Sequence, residues 1–150
     1  MTSFFLRVVV LLSGLLFTSL SVFGSQDGGS DAITGKWVTA EDKSVVEIYR
    51  SGHSYSLKIV SLKDPFNEDG TKKVDENNPD SKKRTSDIIG LVIGSGFEFK
   101  GDSSWDGGSI YDPDNGKSYS CKINLEGDKL KVRGFIGVAL FGRTEIWKRR

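Results

Sequence analysis

Few residues of this 150-residue chain have the types and spacing that acid–base catalysis requires. His53 is the only histidine, and it lies in a Ser-Gly-His-Ser run that is typical of a tight turn. A histidine base needs a nucleophile and an orienting carboxylate beside it, and no Gly-x-Ser-x-Gly motif supplies the nucleophile. We therefore interpret His53 as a turn residue and assign no catalytic residue.

The sequence also lacks the ligands of a metal site. One histidine and one cysteine cannot complete a zinc site, and the oxygen-rich runs 67–70 and 112–116 do not have the spacing of a calcium-binding loop. We interpret the first run as a solvated loop and the second as a hairpin turn, and we expect no cofactor. Cys121 has no second cysteine to pair with, and the alternation around it predicts a buried thiol.

Asp106 is the acid with the most interesting neighbours, because it lies between Trp105 and two consecutive glycines. Glycines allow a ligand to approach the backbone closely. Any two strands could bring a second carboxylate beside Asp106, so an enzyme with an unassigned reaction stays among our hypotheses. The same acid could equally bond a loop.

Six aromatic residues lie in the last third of the chain, its most organised part, and offer a better site. Most buried aromatic side chains belong to a core, but together with a few polar groups they can also form the walls of a ligand pocket. The apolar, glycine-rich run 135–142 is predicted to form a mouth or lid, and if exposed it would be a contact surface for lipid or protein. The predicted ligand-binding residues are Trp105, Tyr111, Tyr119, Arg133, Phe135, Phe141 and Trp147.

The elements that position these residues are short strands. Between the turn at 112–116 and the Glu-Gly-Asp turn at 126–128, the residues Tyr119, Cys121 and Ile123 alternate with polar ones, as in a strand with one face in a core. The whole stretch 105–148 is predicted to form four strands in series, and runs at 35–39, 44–49, 54–62 and 88–99 bring the total to about eight, with no amphipathic helix. We therefore predict an all-β fold, a single antiparallel up-and-down β-barrel of about eight strands.

One long segment, residues 63–87, interrupts this pattern. It contains almost no apolar residues and two of the three prolines, and it is rich in Asp, Asn and Lys. Loops of this length inside a domain are usually functional or mobile. We interpret it as a surface loop.

The chain begins with the features of a secretory signal peptide. Arg7 precedes a short apolar run, and Val22-x-Gly24 is small enough for signal-peptidase cleavage. We predict a signal peptide at 1–24, a flexible leader at 25–34 and the barrel at 35–150, with no transmembrane anchor after cleavage and a location in the periplasm. Without the first 24 residues, basic and acidic side chains are equal in number, so no nucleic-acid partner is expected.

Six motifs carry a resemblance to a known family. The chain resembles the bacterial family called domain of unknown function 2147, which implies an exported, single-domain, lipocalin-like β-barrel in the periplasm. The segment 63–87 is longer and more charged than is common in that family. The motifs are Gly35-Lys36-Trp37, Asn77-Asn78-Pro79-Asp80, Trp105-x-Gly107-Gly108-x-Ile110-Tyr111-Asp112-Pro113, Asn115-Gly116-Lys117-x-Tyr119-x-Cys121, Leu130-Lys131-Val132-Arg133-Gly134 and Phe141-Gly142-Arg143-Thr144-x-x-Trp147.

A looser resemblance to lipocalins concerns the closure of the barrel. Lipocalins carry a Gly-x-Trp on the first strand and an arginine near the end of the barrel that packs over the indole. Gly35 and Trp37 match the first part, either Arg143 or Arg149 could supply the cation, and we assign Arg143 to the closure. A guanidinium over an indole gains about 0.5–2 kcal/mol from cation–π attraction.

Three functions remain open at this point. The first is an exported binding protein for a small apolar or amphipathic ligand in the cell envelope. The second is a module with a filled barrel whose loops, residues 63–87 above all, contact an envelope protein. The third is the enzyme with an unassigned reaction.

Overall fold

Eight strands, each antiparallel to its sequence neighbours, make up most of residues 29–150, the part of the chain that the computed structural model describes. The predicted signal peptide and residues 25–28 of the predicted leader lie outside the described residues. Short 3₁₀ turns occur at Ser30–Ile33, Ala40–Asp42, Ser81–Lys83 and Ala139–Phe141. The strands are β1 (Gly35–Val38), β2 (Ser44–Ser51), β3 (Ser54–Leu62), β4 (Val92–Gly101), β5 (Ser104–Asp112), β6 (Lys117–Glu126), β7 (Lys129–Phe135) and β8 (Arg143–Arg149).

The sheet closes on itself, because β1 pairs with both β2 and β8. The β1–β8 seam is short: Trp37 pairs with Arg149 and Val38 with Lys148, and the Arg150 N–H donates to the Lys36 carbonyl at 3.0 Å. Among the described residues, each of the eight strands therefore has a paired neighbour on both sides. The predicted single antiparallel up-and-down barrel is confirmed.

Alternation along the strands separates the interior from the surface. Val46 and Ile48 of β2 and Leu57 of β3 are buried, as are Cys121 and Ile123 of β6, which were predicted to face a core. The fourth strand begins later than predicted, at Val92. The preceding residues 88–91 turn there but still bond β3, through the Gly90 N–H and the Leu91 carbonyl.

Two glycines make room for a phenylalanine ring inside the barrel. The fully buried Phe97 ring lies where a side chain on Gly108 would be, and a Cβ on Gly94 would lie 3.1 Å from both Leu57 and Phe97. Gly108 of the Gly107-Gly108 pair thus accommodates Phe97.

One end of the barrel is closed by the 3₁₀ turn at Ser30–Ile33. Ile33 is fully buried, and the Trp37 and Trp105 indole N–H groups donate to the carbonyls of Ile33 and Ser30 at 2.8 and 3.0 Å. The Tyr55 hydroxyl donates to Asp31 Oδ1 at 2.6 Å. Residues 29–34, which the sequence places in a flexible leader, therefore pack against the barrel as part of the domain.

Arg149 completes this closed end. Its guanidinium carbon lies 4.1 Å from the centre of the Trp37 ring, and its two terminal nitrogens donate to the carbonyls of Thr34 and Ala32 at 3.1 and 2.6 Å. Gly35 leaves room for it, because a Cβ there would lie 3.3 Å from Arg149 Nη1.

Of the two arginines considered for this role, the choice of Arg143 was wrong. Arg149 is opposite Trp37 in the β1–β8 register, whereas Arg143 pairs with Gly134 at the other end of β8.

Candidate functional site

The other end of the barrel holds a cavity of about 1070 Å³. The connections β1–β2, β3–β4, β5–β6 and β7–β8 lie at this end. The two-residue hairpins β2–β3, β4–β5 and β6–β7 lie at the closed end. Apolar side chains from five strands and from the β3–β4 connection form the deep walls: Ile59, Leu62, Ile88, Ile93, Ile110, Val132 and Trp147. Charged and amide side chains of the loops surround the mouth: Glu41, Lys43, Lys63, Asp64, Asn67, Lys73, Glu76, Asn77, Asp114 and Asn115.

Strand β8 places a polar row on the inner wall. Arg143, Glu145 and Trp147 line the cavity in that order from the mouth inward, because residues two apart face the same side of a strand. Trp147 is buried, and its indole N–H donates to Glu145 Oε2 at 3.2 Å. The site thus has an apolar deep end and a carboxylate half-way between that end and the mouth.

Residues 63–87 fold over the mouth and are anchored there. Asp75 is fully buried and accepts two hydrogen bonds of 2.6 Å, one from the Tyr111 hydroxyl and one from Asn78 Nδ2. Desolvation, followed by the hydrogen bond to the Asp75 carboxylate, raises the pKa of Tyr111 to about 12. The hydroxyl therefore stays protonated and holds the loop to β5.

A second contact joins the same loop to the β5–β6 turn. Asn77 Nδ2 donates to the carbonyls of Pro113 and Asp114 at 3.2 and 3.1 Å. Gly116 has φ +69°, and a Cβ at that position would overlap the Asn77 carbonyl oxygen. The Asn-Asn-Pro-Asp and Asp-Pro-Asp-Asn-Gly motifs are therefore two halves of one contact.

Three of the predicted ligand-binding residues line the cavity. Tyr111, Tyr119 and Trp147 are all on its wall, and the Tyr119 hydroxyl accepts from Asn115 Nδ2 at 3.0 Å. Trp105 does not line it, because it lies on the same strand as Tyr111 but at the closed end, fully buried and bonded to Ser30.

The structure contradicts the prediction for Arg133, Phe135 and Phe141. Gly134 faces inward, so its neighbours Arg133 and Phe135 face outward by strand alternation. Arg133 donates to the carbonyls of Ala139 and Leu140 at 2.7 and 3.0 Å and to Thr144 Oγ1 at 2.7 Å, which fixes the β7–β8 connection. Phe141 is 82% exposed at the tip of that connection.

The β7–β8 connection forms an apolar tip beside the mouth. It is not a lid, because its large side chains project into solvent: Ile136, Val138, Leu140 and Phe141 are 57–82% exposed. The run 136–141 carries no charged residue. The tip therefore meets the condition of exposure under which the sequence predicts a contact surface.

Sequence reasoning missed the aliphatic walls and Glu145. A signal for Glu145 was present. It is two residues from Trp147, and residues two apart on a strand share a face. No sequence signal distinguished Ile59 or Ile93, as cavity residues, from residues of the filled core. The distinction depends on where along the barrel the filled interior ends.

The other titratable candidates serve the barrel itself. Desolvation raises the pKa of the buried Cys121 thiol to about 12, so it is not a reactive thiolate. Burial also raises the pKa of Asp106, but the Gly107 N–H and the Lys122 ammonium, 3.0 Å away, outweigh it and bring the pKa below its ordinary value. His53 is exposed in the β2–β3 turn, at the closed end.

Both oxygen-rich runs are internally bonded turns. Asp69 Oδ1 accepts from the backbone and hydroxyl of Thr71, and Asp112 accepts from the Asp114 N–H and from Asn115 Nδ2. Within residues 29–150, no three His, Cys, Asp or Glu side chains come together as metal ligands would.

Comparison with protein families assigns the barrel. The model of a family described as "Uncharacterized protein conserved in bacteria (DUF2147)" matches residues 35–149. The chain belongs to this family. The DUF2147 match runs from the first residue of β1 to the last residue of β8, so it covers the whole barrel and its loops. The family predicted from the six motifs is confirmed.

The DUF2147 barrel is similar to a solved structure, that of protein HP1028 from the human pathogen Helicobacter pylori, which is described as belonging to the lipocalin family. The two chains are 27% identical, the match covers 78% of this chain and 82% of the other, and the TM-score is 0.68. The lipocalin-like fold is therefore confirmed. A comparison with curated proteins finds no match. Among the described residues, no helix is long and apolar enough to cross a membrane.

Proposed function

We propose that this DUF2147 protein is an exported binding protein that holds a small apolar or amphipathic molecule in its cavity. The observation that carries the proposal is the division of the barrel: one half is filled by buried side chains, and the other holds about 1070 Å³ of open space with apolar walls and a polar mouth. Small-ligand sites are typically clefts of about 300–1000 Å³ that combine apolar walls with a few polar groups. This cavity is slightly larger, and the polar mouth forms a large part of its lining. The ligand would place its apolar part against Ile93, Val132 and Trp147.

The proposed role is binding without catalysis. Tyr111 is held protonated, and the Cys121 thiol is buried beyond the cavity, so neither offers a nucleophile to a ligand. Export to the periplasm rests on the signal-peptide features of residues 1–24. Mass spectrometry of the protein from the periplasmic fraction tests this, with an N-terminus at Ser25 expected and an unprocessed Met1 contradicting export.

Occupancy of the cavity is tested by native mass spectrometry of protein purified without detergent. We expect an additional mass that organic solvent removes. Gly134→Leu adds a side chain to the cavity wall, where the Cβ would meet Tyr119 at an ordinary 3.6 Å, and should lower the bound fraction. Ser118→Leu adds the same side chain outside and is the matched control. Equal occupancy in both variants would contradict the proposal.

A second candidate function, contact with an envelope protein, is favoured by the apolar tip at residues 136–141. Four exposed apolar side chains on one connection are unusual for a solvated loop. Replacing Ile136, Leu140 and Phe141 with serine should abolish cross-linking to a partner in cells while leaving cavity occupancy unchanged. Cross-links that persist in this variant would rule the tip out as the contact.

A further inference from the structure

Glu145 is the feature of the cavity that the proposed function leaves unexplained. Of the ten charged residues on the cavity wall, nine lie in the loops or at strand ends, and Glu145 alone among these described residues lies inside a strand. The side chain is half-buried, and its β7 neighbour across the pair is Val132, a buried aliphatic residue.

The Glu145 carboxylate is oriented but not neutralised. The Trp147 indole N–H donates to Oε2, which fixes the group against the wall. None of the ion pairs among residues 29–150 includes Glu145. A charge that is partly removed from water without a counter-charge is costly, and the cost is recovered when a cation binds beside it.

The net charge of the cavity wall also favours a bound cation. Six acidic and four basic side chains line the cavity. Lys43 is paired with Glu41 at 3.3 Å, which removes one charge of each sign and leaves the acidic excess unchanged. A concave surface with an excess of one sign raises the local concentration of the opposite ion.

Arg143 is the only strand cation on this wall within the described chain, and it does not cancel Glu145. It lies two residues nearer the mouth and is exposed, so water and salt screen its field more strongly. The half-buried carboxylate therefore determines which head group is favoured deeper inside.

From this arrangement we infer that the cavity selects amphiphiles with a cationic group, an ammonium or a guanidinium, whose charge lies beside Glu145 and whose alkyl part occupies the apolar walls. The inference rests on the proposed function and adds the class of ligand. Trp147 also lines the cavity, and its indole N–H keeps the carboxylate at this position on the wall.

The test compares three twelve-carbon probes that differ only at one end: dodecylamine, dodecanol and dodecanoate. Isothermal titration calorimetry on the purified protein should show dodecylamine binding about tenfold more tightly than the other two, which corresponds to about 1.4 kcal/mol. Sodium chloride should weaken the amine and leave the alcohol unchanged, because salt screens only the charged pair.

Two variants locate the effect. Glu145→Gln should remove the preference for the amine without changing dodecanol, and Arg143→Gln, which removes a charge of the opposite sign from the same strand, should retain it. Equal or tighter binding of dodecanoate by the unaltered protein would overturn the inference, and so would a full preference in Glu145→Gln. These two results leave the proposed function standing, whereas a failure of all three probes to bind would overturn both.

Discussion

Tyr111→Phe tests whether the long β3–β4 loop is anchored as the structure indicates. The substitution removes one hydroxyl and leaves the ring in place, so Asp75 keeps its bond from Asn78 and loses the one from Tyr111. Asp75 is 0% exposed, and water cannot replace the lost donor without opening the loop. A hydrogen bond to a charged group contributes about 1.5–3 kcal/mol, so we expect the free energy of unfolding to fall by about 2 kcal/mol.

The assay is urea denaturation together with hydrogen exchange. In thermal denaturation of a domain of this size, the same loss of about 2 kcal/mol would lower the melting temperature by roughly 6–12 °C. Tyr49→Phe is the matched control, because the Tyr49 ring packs against Lys58 on the outer surface and its hydroxyl bonds no described residue. The control should stay within about 0.5 kcal/mol of the unaltered protein.

Hydrogen exchange then shows where the stability is lost. The Asp75 N–H, which donates to the Ser86 carbonyl at 2.9 Å, should exchange faster in Tyr111→Phe, while amides of β6 and β7 change little. If Tyr111→Phe is as stable as Tyr49→Phe, or if exchange in residues 63–87 does not change, the hydrogen bond does not anchor the loop.

Three further predictions concern the rest of the barrel. Arg149→Ala should cost about 2 kcal/mol in urea denaturation because it uncovers Trp37, whereas Arg143→Ala should cost under about 0.5 kcal/mol; equal losses would contradict the assignment of the closing arginine. Burial raises the pKa of Cys121 from 9.0 to about 12, so the unfolded thiol ionises first and stability should fall as pH rises from 9 to 12, by up to about 4 kcal/mol. Cys121→Ala should show a smaller fall over that range, and an identical pH profile would refute the argument. Gly116→Ala should cost at least about 2 kcal/mol by thermal denaturation, because φ is +69° and the Cβ meets the docked loop; a neutral result would show that the loop moves aside freely.

The strand pattern was predictable because the alternation in this sequence is regular and the turns contain strong signals. The face of β6 that carries Tyr119, Cys121 and Ile123 could be read directly, and the register between the two turns followed from it. The start of β4 at Val92 was less predictable, since the preceding segment 88–91 bonds β3 without being a regular strand.

The candidate site was only partly predictable, because lining a cavity depends on position along the barrel as well as on the face of a strand. Trp105 and Tyr111 are both aromatic residues of β5, yet only the second is near the open end. The prediction for Arg133 and Phe135 was wrong for a different reason. Leu130 and Val132 define the inward face of β7, so strand alternation places Arg133 and Phe135 on the outer face.

The buried role of Asp75 could not be predicted from its surroundings in the sequence, which are charged and polar. Its partner Tyr111 is 36 residues away, and only the closed barrel brings the two together. What looked like a solvated loop therefore contains a buried carboxylate that holds one side of the mouth.

The central claim, that the open half of the barrel binds an amphipathic ligand, is tested most directly by the fluorescence of one tryptophan. Trp147 lines the cavity, whereas Trp37 and Trp105 are buried at the closed end. Titration with a brominated twelve-carbon amphiphile should quench tryptophan emission saturably, and Trp147→Phe should lose that quenching. Quenching that is unchanged in Trp147→Phe, or that never saturates in the unaltered protein, would contradict a ligand in the cavity.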